Sequence, residues 1–167
     1  MDRGFYLILA SLVLLAVLTA PFLPSTGAED LDLERYTRVE DIRAEGNFLV
    51  FEAGCYRLQM VVSRGQSAAV ERGLLDVETS RPLTHDLFAS VLSELDAEPV
   101  AVKIHSLKEG SFRANLVLRE DGRILKIDSR PSDATALATR TDTPVYLKRE
   151  VLREAGTDTC ERGGRKL

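Results

Sequence analysis

The two stretches on either side of Asp121-Gly122 constrain this chain more than any other feature. "SFRANLVLR" alternates, with Phe112, Ala114, Leu116 and Leu118 on one side, and "RILKID" follows the turn. A period of two marks a strand with one buried face, and Asp-Gly between two such runs is a hairpin signal. The chain therefore holds a sheet, and the sheet needs a layer over its apolar face. "VAVKIHSL" alternates too, with Val100, Val102 and Ile104 on one side and Lys103 and His105 on the other. "FLVFEAG" and "YRLQMVV" flank Gly54-Cys55 and read as two more strands, and "PVYLK" reads as a last short one.

The covering layer comes from helices. "RGQSAAVERGLL" reads as one. In "LTHDLFASVLSEL", Leu87, Phe88, Val91, Leu92 and Leu95 recur at the spacing of a single helix face. Thr84 opens that helix, and Asp86 falls in its first turn, where the helix dipole favours a negative charge. Pro131 starts another helix through "SDATALATR", because proline is tolerated in a first turn. The expected fold is α+β: a mixed sheet with two principal helices, near 84–96 and 131–140. "SRGQSAAV" (63–70) and "SRPSDATA" (129–136) share Ser, Arg and a following Ala. Each follows a hairpin and opens a helix. An internal β-β-α duplication accounts for this, and shared helix-start chemistry is the alternative.

The ends differ from the middle. From Gly4 to Ala28 there is no charge, and the run is nearly all apolar. A spanning helix needs about 20 apolar residues, while a signal-peptide core has roughly 7–15. Residues 1–28 therefore read as a membrane anchor, with residues 4–23 in the bilayer. Cleavage after Ala28, giving a secreted protein, is the alternative. Arg3 precedes the run, and Glu29, Asp30, Asp32 and Glu34 follow it, which orients a single-pass chain with its domain outside the cytoplasm. Residues 29–44 form a charged juxtamembrane linker whose local structure, helix or strand, stays open. The domain follows at 45–153, and 154–167 is a Gly-rich polar tail read as flexible.

The net charge is -4, so the chain does not coat nucleic acid through bulk basicity. A local basic site is still allowed. Two cysteines, Cys55 and Cys160, sit far apart with no C-x-x-C pattern, which argues against structural zinc. Two unpaired thiols are the expectation, and a disulfide between them is chemically permitted outside the cytoplasm.

Two short stretches carry the chemistry. "RPLTHDL" (81–87) places Arg81, Thr84, His85 and Asp86 together, and the chain has only two histidines. A histidine can move protons near neutrality. A capped helix start with an exposed His85 explains the same residues. "KIDSRPSD" (126–133) puts Asp128 at a strand end, with Arg130, Ser132 and Asp133 around a helix start. Carboxylates there can hold a divalent cation such as magnesium, and an arginine with free N–H groups makes an anion site. An Arg130–Asp128 pair is the bland alternative. Both blocks repeat Arg-Pro followed by a hydroxyl and an acid.

"RPLTHDLF", the Asp-Gly hairpin and "IDSRPSDATALATRTDTPVYL" resemble the bifunctional nuclease domain family, in the right order, across about Phe48 to Leu152. The resemblance implies an α+β domain and, from the plant member that gives the family its name, cleavage of RNA and DNA. Arg81, Thr84, His85, Asp86, Asp128, Arg130, Ser132 and Asp133 match the family blocks. On this reading the protein is a membrane-anchored nuclease with nucleic acid as substrate. His85 and Asp86 act with Asp128 and Asp133 in catalysis, and the last two also serve as metal ligands. Arg81, Thr84, Arg130 and Ser132 bind substrate. No organic cofactor is expected, and a homo-oligomer is compatible. The competing reading is a non-catalytic module of the same fold that binds an anionic ligand or a protein. The sequence departs from the family before the first helix: members tend to carry a glycine and an acid there, and this chain has Ser63, Arg64 and Gln66.

Overall fold

The computed structural model describes residues 31–160. The apolar run at 4–23, with its reading as anchor or signal, lies outside the described residues, as does the end of the tail. Among the described residues no helix is long and apolar enough to cross a membrane.

The chain is α+β, as its alternation and helical spacing require. Strands β1 (Tyr36–Arg38), β5 (Glu98–Lys108), β6 (Ser111–Glu120), β7 (Arg123–Ser129) and β8 (Val145–Lys148) form a sheet in the order β1-β8-β5-β6-β7. The β5–β8 pair is parallel and the other pairs are antiparallel, so the sheet is mixed. A second, antiparallel sheet runs β2 (Asp41–Glu45), β3 (Phe48–Ala53), β4 (Tyr56–Val61) and β9 (Thr157–Asp158). The Asp121-Gly122 turn forms as expected, with both residues at positive φ. That backbone matches the right-handed twist of the flanking strands.

Four helices, rather than two principal ones, are present among the described residues: α1 (Arg64–Leu74), α2 (Thr84–Glu94), α3 (Pro131–Ala138) and α4 (Arg149–Ala155). A hairpin followed by a helix occurs twice, as β3-β4-α1 and β6-β7-α3, with one hairpin in each sheet. The helices start differently. Ser63 caps α1 through a reciprocal box with Gln66, whereas α3 begins on Pro131.

The main core joins both sheets to α1, α3 and α4 through Leu49, Phe51, Val70, Ile104, Leu137 and Val151. Alternation along β6 holds: Ala114, Leu116 and Leu118 enter that core, with Phe112 packed at its edge. Alternation along β5 does not. Register shifts fall between Pro99 and Ala101 and between Ile104 and Ser106. The first puts Val100 with Ala101 and Val117 in a small cluster separate from the main core, where Leu31 and Leu33 also pack. An extra residue in one strand reverses the faces that follow it. Lys103 is buried as well. Its Nζ donates to the carbonyls of Leu31 and Asp32, at 2.5 and 3.0 Å, and lies 4.3 Å from the centre of the Tyr36 ring.

The segment before the domain is not a featureless linker, since β1 and β2 fall in it and pair with β8 and β3. The tail is tied down too. β9 pairs with β4, Thr159 bonds the carbonyl of Cys55 through both its N–H and its hydroxyl, and Cys55 and Cys160 form a disulfide. The expectation of two unpaired thiols is corrected. The cysteines lie 105 positions apart in sequence, and only the pairing of β4 with β9 brings them together.

Candidate functional site

The folded chain brings the two Arg-Pro blocks to one place. The first turns of α2 and α3 and the end of β7 enclose a cavity of about 510 Å³. Thr84 and His85 reach it from α2, Asp128 from β7, and Arg130 and Asp133 from the start of α3. Its apolar wall is Phe88, Leu116, Ile127 and Leu137. Polar groups clustered at one side of an apolar hollow are what a binding or catalytic pocket requires.

His85 Nε2 lies 4.0 Å from Asp133 Oδ1. Burial lowers the His85 pKa most, and the Arg140 cation adds to that; Asp133 and Asp86 oppose it, and Arg72 contributes a further lowering. The imidazole is therefore neutral at neutral pH and can accept a proton. Arg130 and Asp133 form a two-point pair: Nε to Oδ2 at 2.5 Å and Nη2 to Oδ1 at 3.1 Å. This corrects the alternative in which Arg130 pairs with Asp128. Helical geometry explains it, because residues three apart on a helix start are neighbours.

Three residues of the two blocks stand elsewhere. Asp86 faces away from the cavity. Its Oδ2 accepts the Leu83 N–H at 2.8 Å, and its Oδ1 takes a short bond from Arg140 Nε. These bonds, that of Arg140 first, hold the carboxyl below its usual range. Asp86 lines a separate hollow of about 270 Å³ with Arg72 and Arg140. Thr84 opens α2 as expected; Leu83 precedes it as the cap residue, and Asp86 satisfies the Leu83 backbone N–H. Ser132 is buried, and its Oγ accepts from Gln66 Nε2 at 2.9 Å. Arg81 is exposed on the loop before α2 and does not border the cavity.

Two residues to which the sequence reading gave no structural role matter here. Arg140 joins three helices: besides Asp86, its Nη1 donates to the carbonyls of Ala69 on α1 and Ala136 on α3, at 2.9 and 2.6 Å. Gly73 makes room for it, since a Cβ there would overlap the Thr139 and Arg140 side chains. Gln66, in the first turn of α1, links that helix to Ser132 at the start of α3. Arg140 stands in no motif that marks it, whereas Ser63-x-x-Gln66 has the spacing of a capping box. A further hollow of about 490 Å³, beside Gly73 and Asp142, is bordered by no histidine. Among the described residues no three His, Cys, Asp or Glu side chains gather to hold a metal ion. Asp128 and Asp133 share the cavity, but both Asp133 oxygens are already held by Arg130.

An "Uncharacterized protein" in each of two Mycobacterium tuberculosis strains is 36% identical over 120 residues, covering 71% of this chain and 71% of the relative. The family model described as "Bifunctional nuclease domain" matches residues 49–159, which include both Arg-Pro blocks and every strand and helix from β4 to α4. The chain belongs to the bifunctional nuclease domain family.

Proposed function

We propose that this protein hydrolyses phosphodiester bonds of RNA or DNA in the cavity between α2 and α3. The observation that carries the reading is the convergence of Thr84, His85, Asp128, Arg130 and Asp133, from blocks some forty residues apart, on one cavity. His85 acts as general base. Its neutral Nε2 takes a proton from the attacking water as the new P–O bond forms and the P–O bond to the leaving sugar oxygen breaks, and the imidazolium or a water returns a proton to that oxygen. The Arg130 guanidinium exchanges one contact with Asp133 for a phosphate oxygen and stabilises the charge that develops there. The Asp133 carboxylate faces Nε2 and stabilises the imidazolium that forms there, and Thr84 and Asp128 border the bound phosphate. Arg81 draws the strand toward the mouth as a loop cation. Asp86 and Ser132 position the two helix starts and do not touch substrate. Magnesium enters as a requirement to test, with Asp128 and Asp133 as its nearest carboxylates.

We place the domain outside the cytoplasm, on a single-pass anchor at residues 4–23 or released by cleavage after Ala28. The Cys55–Cys160 disulfide supports that placement, because such bonds persist in oxidising compartments. A non-catalytic binding module remains the rival, favoured by one observation: Arg130 and Asp133 already satisfy each other. The test is hydrolysis of single-stranded RNA and DNA by the full chain, with magnesium and with EDTA. His85→Ala should lower turnover about 10²–10⁴-fold with an unchanged melting temperature. Unchanged turnover in the folded variant removes histidine from the mechanism. Binding without any cleavage by the unsubstituted chain gives the site to the rival.

A further inference from the structure

The five-stranded sheet turns one face to the core and the other away from the helices. Val102, Ile104, Leu116 and Leu147 point to the core. On the outer face, register puts Tyr146 of β8, Lys103 of β5, Asn115 of β6 and Asp128 of β7 in one row. Lys148, Arg113 and Lys126 each stand two residues along a strand from a member of that row, so alternation sets them on the same face. Leu31 covers one end of the face by packing with Ala101 and Val117, while Arg113 and Lys126 are exposed and Lys148 is half-buried. These charges bear on one another. Burial is the first cause that lowers the Lys103 and His105 pKa values. Lys126 and Lys148 lower that of Lys103 further, against Asp32, and Lys148, Arg113 and Lys108 lower that of His105 further, against Asp128. Nearby Arg119 and Arg123 pair with Glu98 and Glu120, whereas Arg113, Lys126 and Lys148 join no ion pair among the described residues.

We infer that this outer face is the track of a single-stranded nucleic acid, which crosses it from β8 to β7 and turns over the β7 edge into the cavity. The route rests on the reading of that cavity as the place of cleavage. Charge complementarity names the occupant, since unpaired cations spread across a sheet answer a row of phosphates. From β8 to β7 there are three strand-to-strand steps, about 14 Å, which hold several phosphates. Continuity gives the direction. β7 is an edge strand, its Asp128 belongs to the outer row and also borders the cavity, and Ile127 beside it forms part of the cavity wall. A duplex is stiff over about 150 base pairs and does not make that turn, so the strand is single. A lipid surface meets the face but not the cavity, and leaves their junction at Asp128 without a role. The net charge of -4 is no obstacle, because the basic side chains are gathered on one face.

The experiment uses the full chain in a mild nonionic detergent, with Arg113→Gln and Lys126→Gln combined as the variant and circular dichroism to check its fold. Fluorescence anisotropy of a labelled oligothymidylate should show several-fold weaker binding by the variant. The slope of log affinity against log salt should shrink by about 0.7 for each of the two phosphates released. A duplex of the same length should bind the unsubstituted chain more weakly than the single strand. Turnover of the oligothymidylate should fall with its binding, while turnover of a thymidylate p-nitrophenyl ester, small enough for the cavity alone, should not change. Equal binding by the folded variant overturns the track and, if the ester is still cleaved, leaves the hydrolysis standing. A duplex bound as tightly as the single strand overturns it as well. Binding that depends on Arg113 and Lys126, with cleavage of neither compound, supports the face as a strand-binding surface and removes the proposed hydrolysis. A dye on Lys126→Cys that enters the headgroups of phosphatidylglycerol vesicles carrying the chain, with no oligothymidylate bound, overturns the track in favour of the bilayer.

Discussion

Arg140 shows how one side chain sets the electrostatics of another. It anchors Asp86, and through Asp86 the first turn of α2, while its charge helps to hold His85 neutral. The folded pKa of His85 lies below its unfolded value of about 6.5. Its contribution to stability is therefore present above that pH and lost as pH falls through the folded pKa. Replacing Arg140 with methionine removes a cation, so the His85 pKa should rise. Nuclear magnetic resonance titration of the imidazole reads this without any activity, and His105→Gln leaves a single histidine signal to follow. An unmoved titration would separate Arg140 from the site. The same variant should lose about 1.5–3 kcal/mol of stability in denaturant unfolding, the scale of a charged hydrogen bond left unmade.

At the scale of elements, the helical period at Leu87–Leu95 was legible, but its direction was not. A run of apolar residues at helical spacing normally faces the core. Here Ala89 and Leu92 do so, and the wider stripe faces out, because Asp86 and His85 must turn inward to meet Arg140 and Asp133. Helix α1 follows its sequence more simply. Ser63 Oγ accepts the Gln66 N–H, and the Gln66 side chain accepts the Ser63 N–H. Ser63→Ala should cost about 1 kcal/mol in thermal or denaturant unfolding, a typical N-cap loss. No measurable change would mean that the tie from Gln66 to Ser132 holds the helix start unaided. The β5 strand fails a strict alternation for a local reason: its two register shifts cannot be read from residue types.

Across the whole molecule, the Cys55–Cys160 bond closes a loop that runs from β4 to β9 and leaves β1, β2 and β3 outside it. It fixes β9 against β4 and so holds the end of α4 near the second sheet. Reduction, or the paired change Cys55→Ser and Cys160→Ser, should lower unfolding stability by about 2–4 kcal/mol. Denaturation midpoints measured with and without reductant check this, and coincident curves would show that strand pairing alone secures the tail.

By itself the sequence determined the local elements and the family. Alternation marked β6, the runs flanking Gly54-Cys55 marked β3 and β4, Asp121-Gly122 marked the hairpin that returns as β7, and Pro131 marked the start of α3. These are short-range preferences, and they act within a few residues of where they are written. The two Arg-Pro blocks were also legible, down to the helix start in each. Only the tertiary structure decided which of their residues meet. It turned Thr84, His85, Asp128, Arg130 and Asp133 into one cavity and sent Asp86 to Arg140 and Ser132 to Gln66. It likewise paired Cys55 with Cys160 and left the apolar stripe of α2 in solvent. Each of these depends on packing between segments dozens of residues apart, where the free energy belongs to the contact and neither segment alone encodes it.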